Sequence, residues 1–153
     1  MAVKSSGDAA RGRKIFSDLQ GVACIKCHRV GGEGGDVGPD LNSAGAKYNR
    51  AQLIEHILYP SKLILDGYQQ TTVFTKDGDS QSGIVRGETP DELTLLDVEG
   101  KKHAIAKKTI DTRKLSELSP MPEGLQLGLT LQEFSDLVSL METLKDKPVE
   151  AKK

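Results

Sequence analysis

The sequence predicts a mainly α-helical chain interrupted by one small antiparallel β-meander. Three observations carry that expectation. Apolar residues recur at helical spacing near both ends, period-2 runs with Gly-containing turns fill 68–110, and a glycine-rich loop separates the first two helices. The 153 residues fit one domain.

The first helix is expected over 8–20, with Asp8 as N-cap and Ile15, Phe16 and Leu19 on one face. Residues 21–45 hold seven glycines and cannot keep regular structure unless something pins them. A second helix spans about 50–58, with the stripe Leu53, Ile54, Ile57 and Leu58, and Pro60 ends it. Strands follow at Tyr68–Thr75, Gln81–Arg86, Leu93–Val98 and Lys102–Lys107. Turns at 76–79, 87–91 and 99–100 separate them. Thr130 and Glu133 form a capping box, and Phe134, Leu137, Val138, Met141 and Leu144 continue as a stripe of about four turns. The organisation is then one domain over 1–153. A helical part takes 7–67 and 119–145, a β-rich insertion 68–118, and a charged tail 146–153.

Composition excludes several classes. Charges nearly cancel, with 21 Lys+Arg against 22 Asp+Glu, so a dedicated nucleic-acid binder is not expected. The most apolar stretch, Leu53 to Leu65, is broken by Glu55, His56, Pro60 and Lys62, so no membrane span is expected. Three Tyr, three Phe and no Trp make an aromatic-poor core, to be filled by Leu and Ile or by a flat cofactor. The first residues, Met1 to Gly7, lack the apolar run of a secretory signal. The two cysteines, Cys24 and Cys27, are too few and too close for a disulfide framework.

Those cysteines carry the chemistry. Cys24-Ile-Lys-Cys27-His28 has the C-x-x-C-H spacing of covalent c-type haem attachment. Two thiols add across the two vinyl groups at one porphyrin edge, and the next residue presents its imidazole to the iron. Cys24 and Cys27 are the candidate anchors of one haem c, and His28 its axial ligand. Zinc fits less well, because it wants four ligands and only His56 and His103 remain, isolated in a helix and a strand. A thioredoxin-like dithiol wants a strand before the motif, whereas a helix and a Gly turn precede Cys24.

With Gly38-Pro39-Asp40-Leu41, a late Met121-Pro122 and a closing amphipathic helix, the chain resembles a class I monohaem cytochrome c over about half its length. A narrower resemblance is to the haem-binding cytochrome c domain at the C-terminal end of large planctomycete and verrucomicrobial proteins. It rests on Pro60-Ser61, Ile64 and Gly67-Tyr68 followed by strands. The resemblance implies a cytochrome c fold with the β-meander inserted before the axial Met loop. It also implies that the Pro39 carbonyl accepts from His28 Nδ1–H. Tyr48 and Arg50 are candidates for the haem propionates.

Candidates for the sixth ligand are Met121, Met141, His56 and His103. Met141 lies on the apolar stripe and is expected to pack in the core. His56 is expected on a helix flank and His103 on the strand surface. Met121 sits between Pro120 and Pro122 outside any regular element, and the family's Met-Pro loop makes it the choice. With both ligands from protein, and no carboxylate pair, Ser/His/Asp arrangement or phosphate loop, the chain is expected to be an electron carrier and not an enzyme. It would be free or the redox domain of a larger protein, exchanging electrons with a redox partner such as a dehydrogenase or oxidase. The alternative is a gas-binding or sensing domain with a displaceable sixth ligand. The resemblance implies an extracytoplasmic, periplasmic location. Lys4, Arg11, Arg13, Lys14, Lys26 and Arg29 outnumber Asp8 and Asp18 in residues 1–30. Of these, Arg13, Lys14, Lys26 and Arg29 are expected to form a basic rim that steers an acidic partner.

Overall fold

A computed structural model describes residues 6–147. The helical part begins with α1 (Ala9–Ser17), capped by the Asp8 carboxylate, which accepts from Arg11 N–H at 2.9 Å. Asp18 closes the helix, so Leu19 falls outside it and is 67% exposed instead of completing the predicted stripe. The glycine-rich stretch is pinned by a two-residue antiparallel ribbon, β1 (Arg29–Val30) with β2 (Glu33–Gly34). A single turn, α2 (Ala44–Lys47), precedes α3 (Arg50–Leu58), whose capping box is Asn49 and Gln52.

The chain then enters β3 (Gln70–Thr75), β4 (Ser80–Glu88), β5 (Glu92–Leu96), β6 (Lys102–Ala106) and β7 (Ile110–Leu115). They form one antiparallel sheet in the order β6-β5-β4-β3-β7. The closing helix α4 (Leu131–Thr143) has both bonds of the predicted box: Thr130 N–H to Glu133 Oε2 at 2.7 Å and Glu133 N–H to Thr130 Oγ1 at 3.2 Å. The predicted tail lies largely outside the described residues, as does Lys4.

The expected mainly-α class is not what forms. Helix takes 32% of the described residues and strand 25%, with a five-stranded sheet as the largest single element. The helices are short, and the sheet gains a strand that the pattern hides. β7 is polar and exposed along Asp111–Lys114, so it shows no alternation, yet it pairs with β3 as the outer strand.

α1 and α4 cross backbone to backbone. A Cβ on Gly12 would lie 2.1 Å from the Asp136 carbonyl oxygen, so only glycine permits the approach. Around the crossing, Phe16, Leu53, Leu137, Val138, Leu140 and Met141 form the helical core. The buried Asp136 carboxylate is fully met by Arg11 Nε at 2.7 Å, Asp8 N–H at 2.7 Å and Gln132 Nε2 at 2.9 Å. Burying that carboxylate is tolerable only with such partners.

The sheet is buried on both faces. Val85 and Leu95 point with Val73 and Leu93 into the sheet's own core. Their chain neighbours Ile84 and Leu96, paired across β4 and β5, point the other way and pack with Val37, Cys27 and Tyr68. The sheet is expected to pack beside the haem-binding part, between the second and last helices; its outward apolar face meets the loop around Cys27 and Val37 in that part.

Candidate functional site

The segment Cys24–Lys26 makes one 3-10 turn, closed by Cys27 N–H to Cys24 O at 3.2 Å and His28 N–H to the same oxygen at 2.9 Å. Two thiols and an imidazole thus issue from a single turn of chain. The turn is entered through Ala23, which holds a left-handed φ of +51°, a conformation that costs a residue with a Cβ about 1–2 kcal/mol. Its exit is fastened by Gly35 N–H to Ile25 O at 2.9 Å and Gly38 N–H to Cys27 O at 2.7 Å.

Burial pushes the Cys24 thiol up to about 11, and pushes Cys27 up as well, the nearby Lys26 only partly opposing it. Such thiols stay protonated near neutrality, which disfavours the reactive-dithiol reading. Among the described residues, no group of three or more His, Cys, Asp or Glu side chains could hold a metal ion.

His28 Nδ1 lies 2.8 Å from the Pro39 carbonyl oxygen. A carbonyl can only accept, so Nδ1 carries the proton and Nε2 is left with its lone pair. Burial lowers the His28 pKa, with the Pro39 bond opposing, so the ring is held neutral. Gly38 packs flat on the imidazole: a Cβ there would lie 2.5 Å from Cε1 and 2.7 Å from Nδ1. The ring is therefore fixed by a hydrogen bond at one edge and by backbone against its face.

The other candidates are placed as follows. Tyr48 packs against the helical core and meets His56 edge-on, ring centroids 4.5 Å apart. Arg50 reaches α4, donating from Nη1 to Glu142 Oε2 at 2.6 Å and to Ser139 Oγ at 3.2 Å, and from Nη2 to Ser135 Oγ at 2.7 Å. Met141 is 5% exposed in the helical core. His103 is not a loose surface residue, because its Nε2 pairs with Asp97 Oδ2 at 2.7 Å. Met121 is half-buried, its N–H donating to Ser119 Oγ at 3.1 Å, and Ser119 N–H donates to Ser61 Oγ at 2.9 Å. The Met121 loop is thereby tied to the segment that follows α3.

The cytochrome c family model matches residues 9–97, more than half of the chain. The chain belongs to the cytochrome c family. No curated protein matches it. Among solved structures, SoxXA from P. pantotrophus is 19% identical, covering 94% of this chain and 85% of that one, with a TM-score of 0.48. The pleiotropic translational regulator Hfq is 21% identical, covering 43% of this chain and 88% of that one, with a TM-score of 0.29.

Cytochromes c hold haem c covalently, exchange electrons with redox partners, and typically work outside the cytoplasm. The donor set of this member fits that group. Two thiols stand one turn apart, beside a neutral imidazole whose Nδ1 is already committed. No helix among the described residues is long and apolar enough to cross a membrane.

Sequence reasoning missed the sheet's share of this site. Ile84, Leu96 and Tyr68 pack with Cys27, Glu99 pairs with Lys26 at 2.8 Å, and Arg86 donates to the Asp36 carbonyl. A signal was present: the doublets Ile84-Val85 and Leu95-Leu96 break the period-2 alternation, as strands covered on both faces do. The expected basic rim is correspondingly weaker. Lys26 has Glu99, and Arg13 has Glu33 at 3.7 Å.

Proposed function

We propose that this cytochrome c is a one-electron carrier with a single haem c, attached through Cys24 and Cys27 and ligated by His28 and Met121. The observation that carries the reading is the half-buried His28 ring directly after the two thiols, with Nδ1 on Pro39 and Nε2 left to bind iron. When bound, the haem supplies the ferric/ferrous couple. The chain's own residues do the rest. The Pro39 carbonyl fixes the tautomer and raises the basicity of His28, Gly38 sets the ring plane, and the apolar walls exclude water. Met121 is supported by its half-buried place in a loop held to Ser61, and a thioether ligand favours ferrous iron. Leu63 and Leu118, exposed on the two segments that Ser61 and Ser119 join, supply apolar surface suited to a porphyrin.

Tyr48 remains the propionate candidate of choice. Arg50 acts at one remove in this reading, holding α3 to α4. Residues 7–67 and 119–145 form the haem-binding part and 68–118 the insertion. We read the chain as extracytoplasmic and as a redox domain of the kind found in large planctomycete and verrucomicrobial proteins, with a dehydrogenase or oxidase as partner. With His28 and Met121 both holding the iron, the site would leave no open position for a substrate, so we read the chain as a carrier and not an enzyme.

Intact mass and optical spectra test the reading together. One haem should survive denaturation, and ferrous wild-type protein should bind carbon monoxide slowly or incompletely, whereas Met121→Ala should bind it readily and show a lower potential. A colourless protein with two free thiols refutes haem attachment. Fast, full carbon monoxide binding by the wild type, unchanged in Met121→Ala, refutes Met121 ligation and favours ligand sensing.

A further inference from the structure

The five-stranded sheet touches the attachment turn and the loop that follows it at three separate points. Ile84 and Leu96, each 1% exposed, pack with Val37, Tyr68 and Cys27. Lys26 Nζ meets Glu99 Oε2 at 2.8 Å, across the turn between β5 and β6. Arg86 donates to the Asp36 carbonyl, and its guanidinium lies 5.2 Å over the Tyr68 ring. Apolar packing, an ion pair and a cation–π-backed hydrogen bond thus join one surface to one turn. These contacts fall on the basic-rich N-terminal region, where an external acidic redox protein is expected from the sequence to dock.

We propose that the sheet is the resident occupant of the attachment turn: it closes the Cys27 side to external redox proteins, and through Glu99 it offsets the Lys26 charge that would help attract an anionic partner. Ile84 and Leu96 exclude water from the Cys27 side, Arg86 clamps the loop at Asp36, and Glu99 sets the local charge. The proposal rests on haem attachment at Cys24 and Cys27. Its consequence is selectivity. Electron exchange at this side is insensitive to the charge of the reagent, and productive docking takes place on another face.

The test uses the haem-loaded full chain. Stopped-flow oxidation of the ferrous protein by ferricyanide moves one electron from ferrous haem to the trianion, giving ferric protein and ferrocyanide. The tris(phenanthroline)cobalt(III) trication, reduced to cobalt(II), serves as the reagent of opposite charge. In wild type the ferricyanide rate should change little between low and high salt. Glu99→Ala uncovers Lys26 at an exposed site where folding is not at risk. It should speed ferricyanide at low salt by about threefold, slow the cobalt reagent, and lose both effects at high salt. Arg86→Ala/Glu99→Ala should also raise amide hydrogen exchange at Gly35 and Gly38 by about tenfold, because the cover opens. The swapped pair Lys26→Glu/Glu99→Lys, which keeps Arg86 and an ion pair of reversed sense, should keep wild-type protection. Haem-loaded variants that match wild type in both rates and exchange overturn the cover alone. Absence of covalent haem by intact mass overturns the functional reading on which it rests.

Discussion

Gly38→Ala probes how tightly the backbone holds His28. The added Cβ would stand 2.5 Å from His28 Cε1, 2.7 Å from Nδ1 and 2.9 Å from Nε2, well inside van der Waals contact. The ring cannot swing aside freely, because Nδ1 is bonded to the Pro39 carbonyl at 2.8 Å. Either the ring leaves that bond or the 37–39 backbone lifts. Overpacking costs about 1–3 kcal/mol and the lost hydrogen bond about 0.5–1.5 kcal/mol. A loss of about 2–4 kcal/mol, roughly 30- to 1000-fold in the folded-to-unfolded ratio, is expected. Urea unfolding of haem-loaded protein measures it, and the optical spectrum should shift because the axial ring has turned. Gly128→Ala is the control, since nothing lies within 4 Å of the Cβ it would add. It should change stability by under about 1 kcal/mol. Equal stabilities for the two variants, with the spectrum of Gly38→Ala unmoved, would refute the reasoning.

Met141→Ala should cost about 2–5 kcal/mol by opening a cavity in the helical core, with the ligand spectrum unchanged, as denaturant titration with parallel spectroscopy will show. Ala23→Gly removes a Cβ from a left-handed position and should raise stability by up to about 1 kcal/mol, read as a higher Tm. Arg11, together with the Asp8 amide, holds the Asp136 carboxyl well below the usual carboxylate range. Because that pKa is depressed on folding, its contribution is complete above the unfolded value of roughly 4 and fades as pH falls through the folded one. Asp136→Asn should therefore lower Tm at neutral pH and flatten its fall on the acid side, measured by thermal melts from neutral pH downward.

The family and most of the local structure were legible along the chain. The C-x-x-C-H run, the Asp8 cap, the Thr130–Glu133 box and the stripe around Met141 depend on residues within a few positions of one another, so their physics is readable along the chain. The β3–β4 hairpin and the β5 and β6 strands were legible for the same reason. Tertiary structure alone decided the rest. β7 has no local signature, because an edge strand of polar residues is stabilised by the ladder it joins. Arg50 is read along the chain as a candidate for the haem propionates, and only the approach of α4 brings Glu142 and two serines to it. The basic residues before and after Cys24 sum to an attractive field only if no acid folds back on them. Glu99 lies 73 positions from Lys26 and meets it only because the sheet turns its second apolar face onto the attachment loop. Contacts between such distant residues depend on how whole elements stack, and no window of sequence contains that information.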